Sequence, residues 1–443
     1  MNARPRGQSG EDEVALWTAR GTGRPAADDV VGSRERCSWP LTLGFGLQHV
    51  FAMFGTTVLV PRLTGFPPMT TLLLSGLGTL LFLVVTRHRV PNYLGASLAF
   101  VVPLAVAANK TGARPAVLLG AVVVVGLLVV AVGIAVKALG VRLLEAAMPP
   151  VVSGGVVLLV GLCLAPQAVS AFGEQPAPGT ITLGALVLAT VATRGTLSRV
   201  AILAAVLLGW AYAALAGELD PARVAELARA PWFGAPELIA PRWDLTAVPF
   251  ALPLVVVLVA QHVANLKVIA ATTGRNLDSS VGDALIGGGL ATTLSGSAGG
   301  SALTSYGSNV GVMAVTRVYS TAAVAVAAAV AVLLSFSPKL GALIGTVPAG
   351  VFGGAALVLF GVLAAVGLRI WGESGVDFAD PVNLVVLGTA LVAGVGDLTI
   401  SLGALRITGL VWGSVGIVLL YPLLRRIADS ARARAGEPAN SGS

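Results

Sequence analysis

Apolar runs alternate with short polar breaks along almost the whole chain. The runs fall at about 41–60, 69–86, 93–109, 115–136, 143–165, 180–193 and 199–217. A polar stretch at 218–246 then brings Glu218, Asp220, Glu226 and Pro231. A second set follows at about 247–271, 281–298, 301–316, 319–335, 342–368, 381–395 and 401–424. Several runs are long enough to cross ~30 Å of hydrocarbon as helices, and the third and sixth of each set are short. The pattern predicts an all-α polytopic membrane protein of about 14 transmembrane segments.

Composition agrees. Of 443 residues, 56% are hydrophobic and 11% charged, against about 25% charged in a soluble domain. The net charge of +7 is therefore read through topology and not as a nucleic-acid footprint. Fourteen crossings put both ends on one side. With that side cytoplasmic, the short inner loops carry ten Lys and Arg against five in the short outer loops, the expected positive-inside bias. Residues 1–40 and 425–443 are charged and lack long apolar runs, so both are expected to be disordered cytoplasmic tails. Cys37 and Cys163 offer neither metal spacing nor a disulfide framework. There is no Walker-type phosphate loop and no H-E-x-x-H, so an ATP-driven pump or metalloprotease is unsupported, and no metal or cofactor is expected.

The two halves, 41–217 and 247–424, are nearly equal and share local signatures. Leu47-Gln48-His49-Val50 recurs as Ala260-Gln261-His262-Val263, 213 residues later. Leu94-Gly95-Ala96-Ser97 matches Tyr306-Gly307-Ser308-Asn309 at an offset of 212. Pro149 before Gly154-Gly155 matches Pro348 before Gly353-Gly354. Seven segments per copy is odd, so the second copy enters the membrane upside down. Inverted repeats place a transporter's site near mid-membrane, where the repeats meet.

Two stretches carry candidate chemistry. Residues 295–308 have nine Ser or Gly in fourteen, yet apolar segments flank them. Irregular backbone at membrane depth survives only where protein buries it or water reaches it. The stretch predicts a broken crossing, with a half-helix starting near Tyr306 and its positive end toward the bilayer centre. Residues 93–103, with Gly95 and Pro103, predict the counterpart from the opposite side. In the second stretch, Gln261 and Asn265 are four apart and share a helix face. Each offers a donor beside an acceptor. That suits a small planar solute or, equally, glue between helices. His262 lies about 100° round the helix from Gln261. It and its counterpart His49 fit either a titrating or a packing role. Arg317, at a cytoplasmic segment end, fits a topology anchor.

Leu47–Pro61 (LQHVFAMFGTTVLVP), Val90–Phe100 (VPNYLGASLAF) and Ser308–Ser320 (SNVGVMAVTRVYS) carry a resemblance. Over about 38–425 the chain resembles the nucleobase–ascorbate transporter family of bacterial uracil and xanthine permeases. The resemblance implies a core domain from 41–136 and 247–335, and a gate domain from 143–217 and 342–424. The extracellular loop 218–246 joins the halves. It implies a secondary transporter for uracil, xanthine or a related base in the cell membrane, working by alternating access, with no nucleic acid as partner and a homodimer through the gate. Carried over by position, the substrate contacts are Thr56, Ser97, Leu98, Gln261, Asn265, Tyr306, Gly307 and Ser308. Gln48, His49, His262, Asn309, Gly311, Thr316 and Arg317 fall at motif, structural or coupling positions.

The departures change the expected chemistry. Gln261 and Ser308 stand where relatives carry glutamates, Asn265 where the uracil permease has a histidine, and Leu98 where an aromatic stacks on the base. The buried acids that would carry a proton are gone, which leaves the coupling proton or other cation open. A small-anion transporter of the same fold, or a base receptor that does not transport, remain the alternatives. Replacing Gln261→Glu is expected to introduce or steepen a pH dependence of uptake; identical pH profiles for wild type and variant count against this placement.

Overall fold

The computed structural model describes residues 16–19, 30–101, 115–140, 149–163, 165–192, 201–244, 252–273, 275–398, 400–402, 405–407 and 409–435. In chain order the first half runs β1 (Thr18–Ala19), β2 (Glu35–Arg36), α1 (Trp39–Thr64), α2 (Pro68–Val85) and β3 (Leu94–Ala96). It continues with α3 (Pro115–Leu139), α4 (Pro150–Cys163), α5 (Ala165–Glu174), α6 (Pro176–Ala192) and α7 (Ala201–Leu215). Between the halves lies α8 (Pro221–Arg229). The second half runs α9 (Pro253–Thr273), α10 (Val281–Ala298), β4 (Leu303–Ser305), α11 (Gly307–Thr316), α12 (Thr321–Ser335) and α13 (Pro338–Gly345). Then come α14 (Ala349–Glu373), α15 (Pro381–Val395), β5 (Ile400–Leu402), β6 (Leu405–Ile407) and α16 (Gly409–Ala435).

Proline punctuates this order. It opens α2, α3, α4, α6, α8, α9, α13 and α15, because its missing N–H costs nothing in a first helical turn. Among the described residues, four helical stretches are long and apolar enough to cross a membrane: α2, α3, α4 with α5, and α14. α12 and α13 together pass the same test but bend by 84°. α6, α7, α15 and Leu254–Ala270 of α9 are shorter apolar helices. The chain is a mostly helical integral membrane protein.

The helices pack in two groups. α2 lies against α10 and α12, α3 against α10, and α1 against α12. In the second group α14 packs on α4, α5 and α6, α7 on α6, and α15 on α16. The groups meet where α9 touches α4 and α16, and where α1 touches α7. Lipid tails are as apolar as the side chains, so close backbone approach holds such helices together. At the α3–α10 crossing a Cβ on Gly126 would lie 2.8 Å from Gly289 O, and one on Gly289 2.7 Å from Gly126 O. At the α4–α14 crossing Gly154 and Gly367 face each other likewise.

The expected tails differ in part. Residues 31–35 run beside 317–321. Val31 N–H donates to Arg317 O at 3.0 Å, Tyr319 N–H to Val31 O at 2.9 Å, and Thr321 N–H to Ser33 O at 3.0 Å. Val31 and Cys37 are buried with Val318. These pairings order a segment whose composition alone reads as a tail; 1–15 and 20–29 lie outside the described residues. At the other end α16 continues to Ala435, tied by Arg425 Nη1 to Asp380 Oδ2 at 2.6 Å, and 436–443 lie outside. Loop 218–246 is likewise held down. Lys339 N–H donates to Pro231 O at 2.9 Å, and Arg242 N–H to Ala116 O at 2.7 Å.

A side chain at the α3–α10 crossing must push the helices apart. Gly126→Leu is expected to destabilise by about 2 kcal/mol or more. Gly184→Leu, at a position with nothing within 4 Å, serves as the control. Thermal unfolding in detergent should separate the two variants clearly.

Candidate functional site

Two stretches of the chain break into short strands, and the strands pair. Gly299, at φ 102°, ends α10 in the left-handed region that glycine enters without a Cβ penalty. The chain then extends through β4, and α11 starts at Gly307 after Tyr306, as the Ser/Gly-rich stretch predicts. In the other half β3 leads into a single 3₁₀ turn, Leu98–Phe100, and 102–114 lie outside the described residues. β3 and β4 pair antiparallel, Leu94 with Ser305, Gly95 with Thr304 and Ala96 with Leu303. Ser97 N–H extends the ladder to Ala302 O at 2.9 Å, and Tyr306 N–H to Tyr93 O at 3.1 Å.

A two-stranded ladder leaves outer backbone groups open, and no membrane interior can satisfy them. Two threonines do so. Thr79 Oγ1 on α2 donates to Leu94 O at 3.2 Å and accepts from Leu94 N–H at 3.0 Å. Thr292 Oγ1 on α10 does the same for Leu303, at 2.9 and 3.2 Å. The two sets of bonds mirror each other and align Leu94 with Leu303, hence Gly95 with Thr304. The sequence match of Gly95 to Gly307 therefore slips by three residues. The connection is also shorter in the second half: Leu303 follows Thr292 by 11 positions, against 15 from Thr79 to Leu94.

The polar face of α9 closes over β4. Thr304 Oγ1 donates to Gln261 Oε1 at 2.8 Å. Asn265 Nδ2 donates to Ser305 O at 3.0 Å. A carbonyl oxygen only accepts, so the amide nitrogen of Asn265 faces β4 and its Oδ1 points away. That Oδ1 would lie 3.8 Å from a Cβ on Gly307. Gly307 is exposed among buried neighbours, and no side chain caps the first turn of α11. Asn265 Oδ1 and Gly307 thus lie close together, with Gln261 one turn away on the same face of α9 and Ser308 half-buried next to Gly307. Tyr306 lies against Gly95, where a Cβ would meet its ring carbons at 2.4 Å, and donates its hydroxyl to Ala96 O at 2.8 Å. Ser97 Oγ is buried without a partner among the described residues.

The remaining expected residues fall in three places. Thr56 lies in α1 and Leu98 opens the 3₁₀ turn, but their side chains lie outside the described ones. Gln48 is half-buried and His49 buried in α1. His49 Nδ1 lies 3.1 Å from Asn309 Nδ2, and His262 Nδ1 2.8 Å from Ser305 Oγ. Gly311 lies mid-way along α11. Thr316 and Arg317 sit at its far end, away from the break. Thr316 Oγ1 bonds Val312 O at 2.8 Å. Arg317 takes a left-handed conformation, φ 54°, and its carbonyl holds Val31 N–H. Sequence reasoning missed Asn92, Thr304 and Ser305, although all three stand inside stretches it had singled out. The three-residue slip hid the last two.

A sequence model of the permease family matches residues 41–402. The chain belongs to that family, the nucleobase–ascorbate transporters. A putative pyrimidine permease of Escherichia coli (strain K12) is 42% identical, with 93% of this chain and 95% of that one covered. A uracil permease of Paenibacillus larvae is 36% identical over 91% and 99%, and one of E. coli (strain K12) 37% identical over 89% and 94%. Members of the family are transporters and not enzymes. Solved structures share the permease's fold. SLC26A9 superposes with TM-score 0.62 at 11% identity, over 88% of this chain and 65% of that one. The transmembrane domain of the cyanobacterial bicarbonate transporter BicA gives 0.53 at 17%, over 80% and 94%.

The threonine brackets make a paired prediction for the permease. Thr292→Val and Thr79→Val each keep shape but strand a buried N–H and C=O. Each is expected to cost about 1–3 kcal/mol, while the Ser variants stay near wild type in thermal unfolding.

Proposed function

We propose that this permease carries a neutral nucleobase, uracil or a close relative, across the cell membrane. One observation carries the reading. Asn265 Oδ1 and the Gln261 amide sit on one helix face beside the uncapped start of α11, with Ser305 O and Thr304 holding them in place. An acceptor fixed there suits a ring N–H, and the neighbouring amide and free backbone N–H groups suit ring carbonyls. The site residues carry no charge, which favours an uncharged ligand. The relatives' names support the same substrate class: pyrimidine permease and uracil permease. We place Ser97, Tyr306, Gly307 and Ser308 at the ligand with Gln261 and Asn265, and keep Thr56 and Leu98 as candidate contacts.

The same reading gives the fourteen segments as two inverted repeats. The mirrored threonine brackets and the antiparallel β3–β4 pair support it, since a two-fold axis in the membrane plane produces such a pair. The helix group around α2, α10 and α12 is the moving core, and the group around α4, α14 and α16 is the gate through which two copies associate. Both termini are cytoplasmic. A cation, proton or otherwise, remains a candidate coupling partner.

Proteoliposomes holding the purified protein are expected to accumulate labelled uracil, with unlabelled pyrimidines competing and sulfate or bicarbonate not. Asn265→Leu should cut uptake by about tenfold or more, the effect of an unpaired ligand N–H. Absence of uptake or exchange of any base, or competition by the anions instead, overturns the reading.

A further inference from the structure

Both buried histidines, on different helices, touch the same bend. His262 Nδ1 on α9 lies 2.8 Å from Ser305 Oγ, on the last residue of β4. His49 Nδ1 on α1 lies 3.1 Å from Asn309 Nδ2, in the first turn of α11, and the same amide nitrogen bonds His49 O at 3.1 Å. Tyr306, Gly307 and Ser308 lie between these two anchors. Both rings are buried, 1% exposed for His49 and 3% for His262. The fold makes room for the second ring: a Cβ on Gly288 of α10 would come within 1.8 Å of its Nε2, and Phe82 lies across it at 6.5 Å between centroids. Ser305 Oγ also receives Asn92 Nδ2 at 2.5 Å, so the His262 anchor ties the bend to the entry of β3.

We infer that His49 and His262 form a two-point clamp that holds the β4–α11 bend in its ligand-binding shape, acting as positioning residues through Nδ1. This rests on the proposed function, since it supplies the shape of the site described there. Within the bend only Gly307 is exposed, and a glycine there has backbone freedom to lose when a ligand binds. Anchors at both ends remove that freedom beforehand, and this raises affinity without adding a ligand contact. In each case the ring acts through the nitrogen nearer the backbone. Asparagine carries a polar atom at nearly that position and does not titrate, so it replaces an anchor but not a proton carrier.

The test is equilibrium binding of labelled uracil to purified protein, with His49 and His262 each replaced by Asn and by Leu. The Asn variants should bind within about threefold of wild type, and the Leu variants about tenfold or more weaker, the cost of a lost buried hydrogen bond. Ser305→Ala, a milder change, should weaken binding as well, and non-additivity with His262→Leu in a double-mutant cycle should show that the two act as one unit. Leu variants that bind like wild type, Asn variants as poor as Leu, or full additivity in the cycle overturns the clamp. If wild type binds no uracil, it is the proposed function that fails.

Discussion

An extended backbone in the middle of a lipid-spanning protein must find partners for every N–H and C=O, because hydrocarbon offers none. The β3–β4 pair meets that demand with few parts. Each strand satisfies one edge of the other, and the hydroxyls of Thr79 and Thr292 satisfy the outer N–H and C=O of Leu94 and Leu303. With those four groups paired, both strands can lie buried inside the helical protein. The uncapped helix start at Gly307 is a consequence of the strand before it.

The polar side chains then follow from the strand. Gln261 and Asn265 bond Thr304 Oγ1 and Ser305 O, so the strand sets which way their amides face. Interhelical glue and ligand recognition, alternatives that spacing alone left open, are not exclusive here. One side of each amide is spent on β4, and for Asn265 the geometry leaves the acceptor oxygen over. A glutamate at 261 would bring a buried charge to the same place. The amide keeps the hydrogen-bonding edge and removes the cost of desolvating that charge.

Much of this was legible in the chain. Apolar runs separated by short polar breaks announced the helices. The Ser/Gly density of 295–308 announced the break and the helix restart at Tyr306, because no apolar crossing tolerates such composition unless it is interrupted. Three things were not legible. Local letter matches pair Gly95 with Gly307, whereas the β3–β4 ladder pairs it with Thr304, because the ladder aligns backbone positions and not side chains. Order in residues 31–37 comes from backbone pairing with 317–321, which charge content does not encode. The partners of His49 and His262 are Asn309 and Ser305; each contact spans the fold, and helical spacing carries no sign of it.

The central claim is that an uncharged, strand-braced site reads a base through Asn265 Oδ1. Isothermal titration of the purified protein with uracil and with its N-methylated forms tests it most directly. The account predicts saturable, one-to-one binding of uracil, with methylation of the ring nitrogen facing Asn265 abolishing it in wild type and mattering little in Asn265→Ala. Equal binding of uracil and every N-methylated form by the wild-type protein would contradict it.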